Sequence, residues 1–259
     1  DVDMPEVKLE EDTVEIIDLV VNKLNFFAST SEARRLIQQG GFKIGEEAIT
    51  DWVFIELRSK NDSTSVVATR AGLLQRDGDV VDLDGFTGLK FPGMSIDSYF
   101  VVVRHRSHLG AMTAAAQTPT QLTTLVNFTK ASELDVFDFG DNKYPAYDYT
   151  GLAMNDNVKF GYRALWAGTF DINGKVKADN PNDDLNMLFA DVFNYPTNTS
   201  LNVNFDFAYG YMPGDFNMDG KSKYDNPNDD KNMLYAQLLF YPLNTGYLSN
   251  FDFFIQQIP

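Results

Sequence analysis

The sequence predicts a mainly β protein: an antiparallel β-sandwich, then two tandem loop repeats with short helices, all behind a small α+β segment at the N-terminus. Three observations predict this class. Between Trp52 and Arg106, short runs of Val, Ile, Phe and Tyr alternate with turn residues, as in antiparallel sheets. The stretch from Gly168 to Phe207 returns without a gap 46 positions later, from Gly214 to Phe253, with more than half its residues unchanged. One fixed spacing means one structural unit made twice. Before Trp52 the apolar spacing is helical instead. The chain therefore divides into 1–51, 52–131, an aromatic connector at 132–165, and the repeats at 166–259.

In the first segment, Val14, Ile17, Leu19, Val20, Val21 and Leu24 give an amphipathic helix pattern. Ser29 or Ser31 caps a second helix that stops at Gly40-Gly41, and Phe42-Lys43-Ile44 reads as a short strand. The string from Ser29 to Ile44 closely resembles the small RNA-binding domain that ends bacterial tyrosyl-tRNA synthetases, and Met4-Pro5-Glu6-Val7 looks like its linker. That resemblance implies RNA contacts at Arg34, Arg35, Gln38 and Lys43. The family often has Lys where Thr30 stands and Asn where Gly45 stands, and the segment is net acidic. Nucleic acid is not the expected partner.

Residues 52–131 read as strands at Trp52–Arg58, Val66–Arg70, Gly72–Arg76, Val80–Leu83, Lys90–Pro92 and Tyr99–Arg106, with a hairpin turn at Asp77-Gly78. Short strands at this spacing predict a sandwich of immunoglobulin-like size. Alternation along the last strand puts Arg104 and Arg106 on an outward charged face. In the connector, Phe137, Phe139, Tyr144, Tyr147, Tyr149, Phe160 and Tyr162 either stack on sugars or a partner, or pack against the repeats.

The repeats carry the chemistry. Asp215, Asn217 and Asp219 alternate, so a tight loop can aim three side-chain oxygens at one hard cation; Gly220 then permits the turn that brings in the Lys221 carbonyl. This run resembles the opening of an EF-hand or dockerin loop. Its second half departs from that pattern: Lys223 and Asn226 hold the ninth and twelfth positions, so the late acid must be Asp229 or Asp230. Copy one offers Asp171, Asn173, the Lys175 carbonyl and Asp183 or Asp184, with Thr169 replacing the first Asp. Asp/Asn/Gly runs also form turns without any ion. A short helix follows each loop, stopped before Pro196 or Pro242, and each copy ends in Asn-Phe-Asp-Phe, read as a strand.

The segments Trp52–Arg58, Ala68–Asp82 and Tyr99–Gly110, followed by two such loops, look like the recurring C-terminal module of large Bacteroidota cell-surface proteins. The resemblance covers 52–259 and implies an exported, extracellular or surface module without an assigned chemistry; those proteins usually have Asp where Thr169 stands. Composition agrees with it. The net charge of −16 favours divalent cations over nucleic acid or anionic lipid. After Trp52 only Glu56 and Glu133 are glutamates among the acids, a bias that suits loops. The absence of cysteine excludes disulfides and thiolate chemistry, and no apolar run is long enough to span a bilayer.

Catalysis is not expected. The two histidines, His105 and His108, stand among arginines that repel a metal. A Ser-His-Asp arrangement stays open, but no Gly-x-Ser-x-Gly turn, phosphate-cradling loop or zinc helix is present. The expected function is a fibre, stalk or adhesin subunit stiffened by Ca2+; a glycan- or partner-binding module is the alternative, and RNA binding a third. Residues 201–209 and 247–255 either add to a neighbouring subunit as a homopolymer edge or pair within the chain.

Overall fold

The computed structural model describes residue 29 and residues 48–119, 124–156, 161–179 and 183–259. Apart from Ser29 and Ala48–Asp51, the expected mini-domain at 1–51 lies outside the described residues. Five strands form one antiparallel sheet: β1 (Ile49–Ser59), β2 (Asp62–Gln75), β3 (Val80–Val81), β4 (Tyr99–Arg104) and β5 (Ala111–Met112), in the order β3-β2-β1-β4-β5. Val53 and Leu57 lie four apart on one face of β1 and are both buried, as a period of two requires. Val101, Val102 and Val103 are all buried, so β4 is covered on both faces.

The chain is thus mainly β, with a single five-stranded sheet among the described residues rather than two facing sheets. Loops supply the covering layer: Phe91, Met94 and Val126 pack against Leu57, Tyr99 and Val101, and Val136 and Leu165 against Val53 and Val103. Three further differences are local. The two runs flanking Ala71 fuse into β2, because pairing with β1 continues unbroken through Ile55–Arg70, Phe54–Ala71 and Val53–Gly72. Lys90–Pro92 is no strand; the Lys90 carbonyl accepts instead from the Arg70 guanidinium, at 2.6 Å. β1 begins at Ile49, ahead of the expected boundary at Trp52.

Helices α1 (Asp184–Phe193) and α2 (Asp230–Leu239) occupy matching places in the two copies, and Asp183 and Asp229 cap them. Leu188 and Leu234 meet at the centre of one core that also takes Trp166, Val176, Phe216 and Phe254. Both leucines are fully buried, each contributing about 1.5–3 kcal/mol. Backbone conformations repeat with the sequence: φ is 58° at Ile172 and 60° at Met218, and 51° at Leu201 and 52° at Tyr247.

The copies clasp each other. The end of copy one bonds to the loop of copy two, through Ser222 N to Ala208 O (3.0 Å) and Gly210 N to Gly220 O (3.2 Å). The end of copy two bonds to the loop of copy one through the counterparts, Val176 N to Phe254 O (3.0 Å) and Gln256 N to Gly174 O (2.7 Å). Ion pairs repeat the exchange: Asp206 meets Lys221 (2.7 Å) and Lys223 (3.2 Å), and Asp252 meets Lys175 (3.2 Å) and Lys177 (2.8 Å). The expected strands at 201–209 and 247–255 are therefore single antiparallel bridges, Tyr209 to Lys221 and Ile255 to Lys175. Both are made inside this chain.

The repeats attach to the sheet just beyond β4. Leu109 N donates to Trp166 O (2.8 Å) and Gly168 N to Ser107 O (3.0 Å), while Gln256 Oε1 accepts from Gly110 N (2.8 Å). The aromatic connector packs onto copy two: Tyr147 lies 4.4 Å from Phe253 between ring centres, and the buried Tyr149 hydroxyl donates to Phe253 O.

Candidate cation site

Loop two turns its oxygens toward its own backbone. Asp215 is fully buried; its Oδ1 accepts from Asp219 N (3.0 Å) and its Oδ2 from Gly220 N (3.1 Å). Asn217 Oδ1 accepts from Asp219 N (2.8 Å), and Asp219 Oδ1 from Lys221 N (3.2 Å). The bridge to Tyr209 takes its hydrogen bonds from Gly220 and Ser222, which flank Lys221, so the backbone groups of Lys221 turn away from Tyr209.

The helix start separates the two late acids. Asp229 is the cap, accepting from Asn232 N at 2.6 Å and from the Asn232 side chain at 2.8 Å. Asp230, inside the first turn, points back into the loop, where it accepts from Phe216 N (2.7 Å), Asn217 N (3.2 Å) and Lys223 N (2.8 Å). Burial, then the charge of Asp215, push the Asp230 carboxyl up to about 8. Burial also raises Asp215, against the opposing charge of Arg106.

Loop one repeats the pattern with a gap. Asp183 caps through Asn186 N (2.6 Å), and Asp184 accepts from Phe170 N (2.6 Å) and Lys177 N (2.8 Å). Burial raises Asp184 to about 7. Asp171 and Asn173 are exposed and bond to each other and to the turn, with Asn173 Oδ1 accepting from Lys175 N. Thr169, in the place of Asp215, is buried with its Oγ1 unpartnered. Among the described residues no three His, Cys, Asp or Glu side chains converge as a metal set. In loop two, Asp215 stands close enough to Asp219 and to Asp230 for their charges to interact, but the three accept from backbone N–H groups and, at Asp215, also from the Arg106 guanidinium.

Arg106 is the residue that sequence reasoning missed. Instead of facing outward, it reaches Asp51 Oδ2 (2.7 Å) on β1 and Asp215 Oδ2 (3.1 Å) in loop two, and also bonds to the Met212 carbonyl. Strand alternation placed it on the solvent side, but β4 ends at Arg104, so that parity no longer applies. Beside it, His105 Nε2 lies 3.2 Å from Asp51 Oδ2, and Ser107 Oγ lies 3.2 Å from His105 Nδ1. The order Ser-His-Asp invites a nucleophilic reading, but Ser107 has no exposed surface for a substrate to reach. These groups form a buried polar knot between the sheet and loop two. Within it, burial and the neighbouring His105 and Arg106 push His108 down to about 3. Burial works upward on Asp51, but contact with His105 and the charge of Arg106 hold it below the usual carboxylate range.

Comparisons of the chain with protein-family models, with curated proteins and with solved structures find no match. Arg34, Arg35, Gln38 and Lys43 lie outside the described residues. No helix among the described residues is long and apolar enough to cross a membrane.

Proposed function

We propose that the chain is a calcium-stiffened structural module of an extracellular or cell-surface protein, a fibre, stalk or adhesin subunit. One observation carries the reading: Asp230 and Asp215 are buried in one loop, and Asp230 has only backbone amides to offset its charge. A buried carboxylate without a counter-ion is costly, and a divalent cation removes that cost. Asp215, Asn217, Asp219, the Lys221 carbonyl and Asp230 would hold it, an all-oxygen set suited to calcium. In loop one, Asp171, Asn173, the Lys175 carbonyl and Asp184 would form a weaker set, lacking the first acid. Calcium bound there would supply charge neutralisation and rigidity, with no catalytic step. Because each loop clasps the tail of the other copy, fixing one loop also fixes its partner.

Thermal unfolding with chelator and with millimolar calcium tests this. Calcium is expected to raise the melting temperature markedly, and Asp219→Ala is expected to lose more of that gain than Asp171→Ala. A melting curve indifferent to both additions would end the calcium reading. A binding role has one specific support, the exposed Phe207 and Tyr209 rings on copy one.

A further inference from the structure

The repeated aromatic face lies under a tyrosine turn in one copy and, among the described residues, under no such turn in the other, where Tyr195 and Phe205 are half-buried and Phe207 is exposed. Tyr195, Phe205 and Phe207 correspond to Tyr241, Phe251 and Phe253 at the 46-residue spacing, ring for ring. On copy two, the turn at 144–149 lies over this face: Tyr147 stands 5.7 Å from Phe251, Tyr144 stands 5.3 Å from Phe253, and the Tyr149 hydroxyl donates to Phe253 O at 2.9 Å. On copy one, Phe207 is 63% exposed and its ring neighbours are Phe205 (5.8 Å) and Tyr209 (6.4 Å) of its own segment. Leu201 and Val203, both exposed, extend the apolar surface. Contiguous exposed rings of this kind mark contact surfaces.

We propose that the Phe205–Tyr209 face docks a tyrosine-bearing turn of another protein chain, with the chemistry that residues 144–149 supply on copy two. The receptor rings are the same on both copies, so the ligand that fits one states the chemistry that fits the other. Two rings fill the spaces beside the phenylalanines, and a phenolic hydroxyl meets the Phe207 carbonyl, the counterpart of Phe253 O. A second copy of this chain is a poor occupant. Its own turn is held against its own copy two, where Tyr149 is fully buried. Two chains of net charge −16 also repel. The proposal stands apart from the calcium reading, since none of these contacts involves a loop oxygen of the candidate site.

The test is a fluorescently labelled peptide of residues 139–150, titrated by anisotropy against the full chain in millimolar calcium. Saturable binding is expected, weakened about tenfold or more by Phe207→Ser and unchanged by Phe86→Ser, which removes a ring 70% exposed on the turn after β3. Phe207 is exposed enough that its loss should leave the melting temperature near that of the parent chain. Absence of binding at millimolar peptide overturns the proposal. So does binding that survives Phe207→Ser, because the peptide would then be exchanging with the chain's own turn on copy two. Dimers in light scattering that vanish with Phe207→Ser also overturn it, by making a second copy the occupant.

Discussion

Without calcium, the folded protein should lose stability as the pH rises from 5 to 8, opposite to the usual behaviour of a protein held by ionised carboxylates. Asp184 and Asp230 are raised from ordinary values to about 7 and about 8. Between the unfolded value near 4 and these folded values, the native state holds protons that the unfolded chain has released. Each carboxyl therefore contributes stability that is complete at low pH and is lost as the pH climbs through its folded value, at about 1.4 kcal/mol per pH unit. His108 works the other way: its folded value is depressed to about 3, so its contribution grows with pH up to the unfolded value near 6.5. The net slope is about 1.4 kcal/mol per unit to pH 6.5, briefly steeper, and then about 1.4 again until pH 8. The whole fall amounts to about 5 kcal/mol, or a urea midpoint lower by about 2 M for a chain of this size. Urea titrations in chelator at pH 5, 6.5 and 8 measure it directly. Calcium should abolish most of the fall, because the ion keeps the same carboxylates charged in the folded state. A chelated protein whose midpoint stays level or rises between pH 5 and 8 would refute the reasoning.

Arg106→Gln should destabilise the chelated protein by about 3 kcal/mol, since it strips the counter-ion from two buried acids, Asp51 and Asp215. In calcium the loss should be smaller, and paired melting curves check the difference. Leu234→Ala should cost about 3 kcal/mol by opening a cavity at the centre of the repeat core, lowering the melting temperature by about 10 °C. Val66→Ala, at a half-exposed site on β2, serves as its reference and should change little.

What the sequence revealed, and what it hid, follows from which interactions are local. The repeat, the helices and the Asp77-Gly78 turn were legible because each is written within a few residues. Gly78 takes a φ of 96°, and its N–H closes the turn onto Gln75 O. The choice between Asp229 and Asp230 was not legible, since both flank the helix start; only the helix phase decides which one caps and which one turns inward. Strand signals named four of the sheet's five strands in outline, leaving out the two-residue β5, but not the number of layers, because loops such as Phe91–Met94 cover a sheet as well as a second sheet does. The clasp between copies was hidden for a different reason. A 46-residue repeat permits each tail to pair with its own loop or with the other, and both choices use identical residues. Arg106 was misplaced because alternation was extended two residues past the end of the strand.

The exchange of tails bears on why the two loops can differ. Loop two has Asp215, Arg106 beside it and Asp230 beneath; loop one has Thr169, whose hydroxyl is buried without a partner. In an array of independent units, losing the first acid of one loop would leave that unit's tail unsupported. Here the tail of copy one is held by loop two, through Asp206 with Lys221 and Lys223, so the complete loop orders the copy that lacks an acid of its own. The tail of copy two is held by the loop that has Thr169 in place of the first acid, and among the described residues it is also covered by the aromatic turn at 144–149. On the calcium reading, the ion and the aromatic turn therefore divide the work, each securing the tail that the other does not reach.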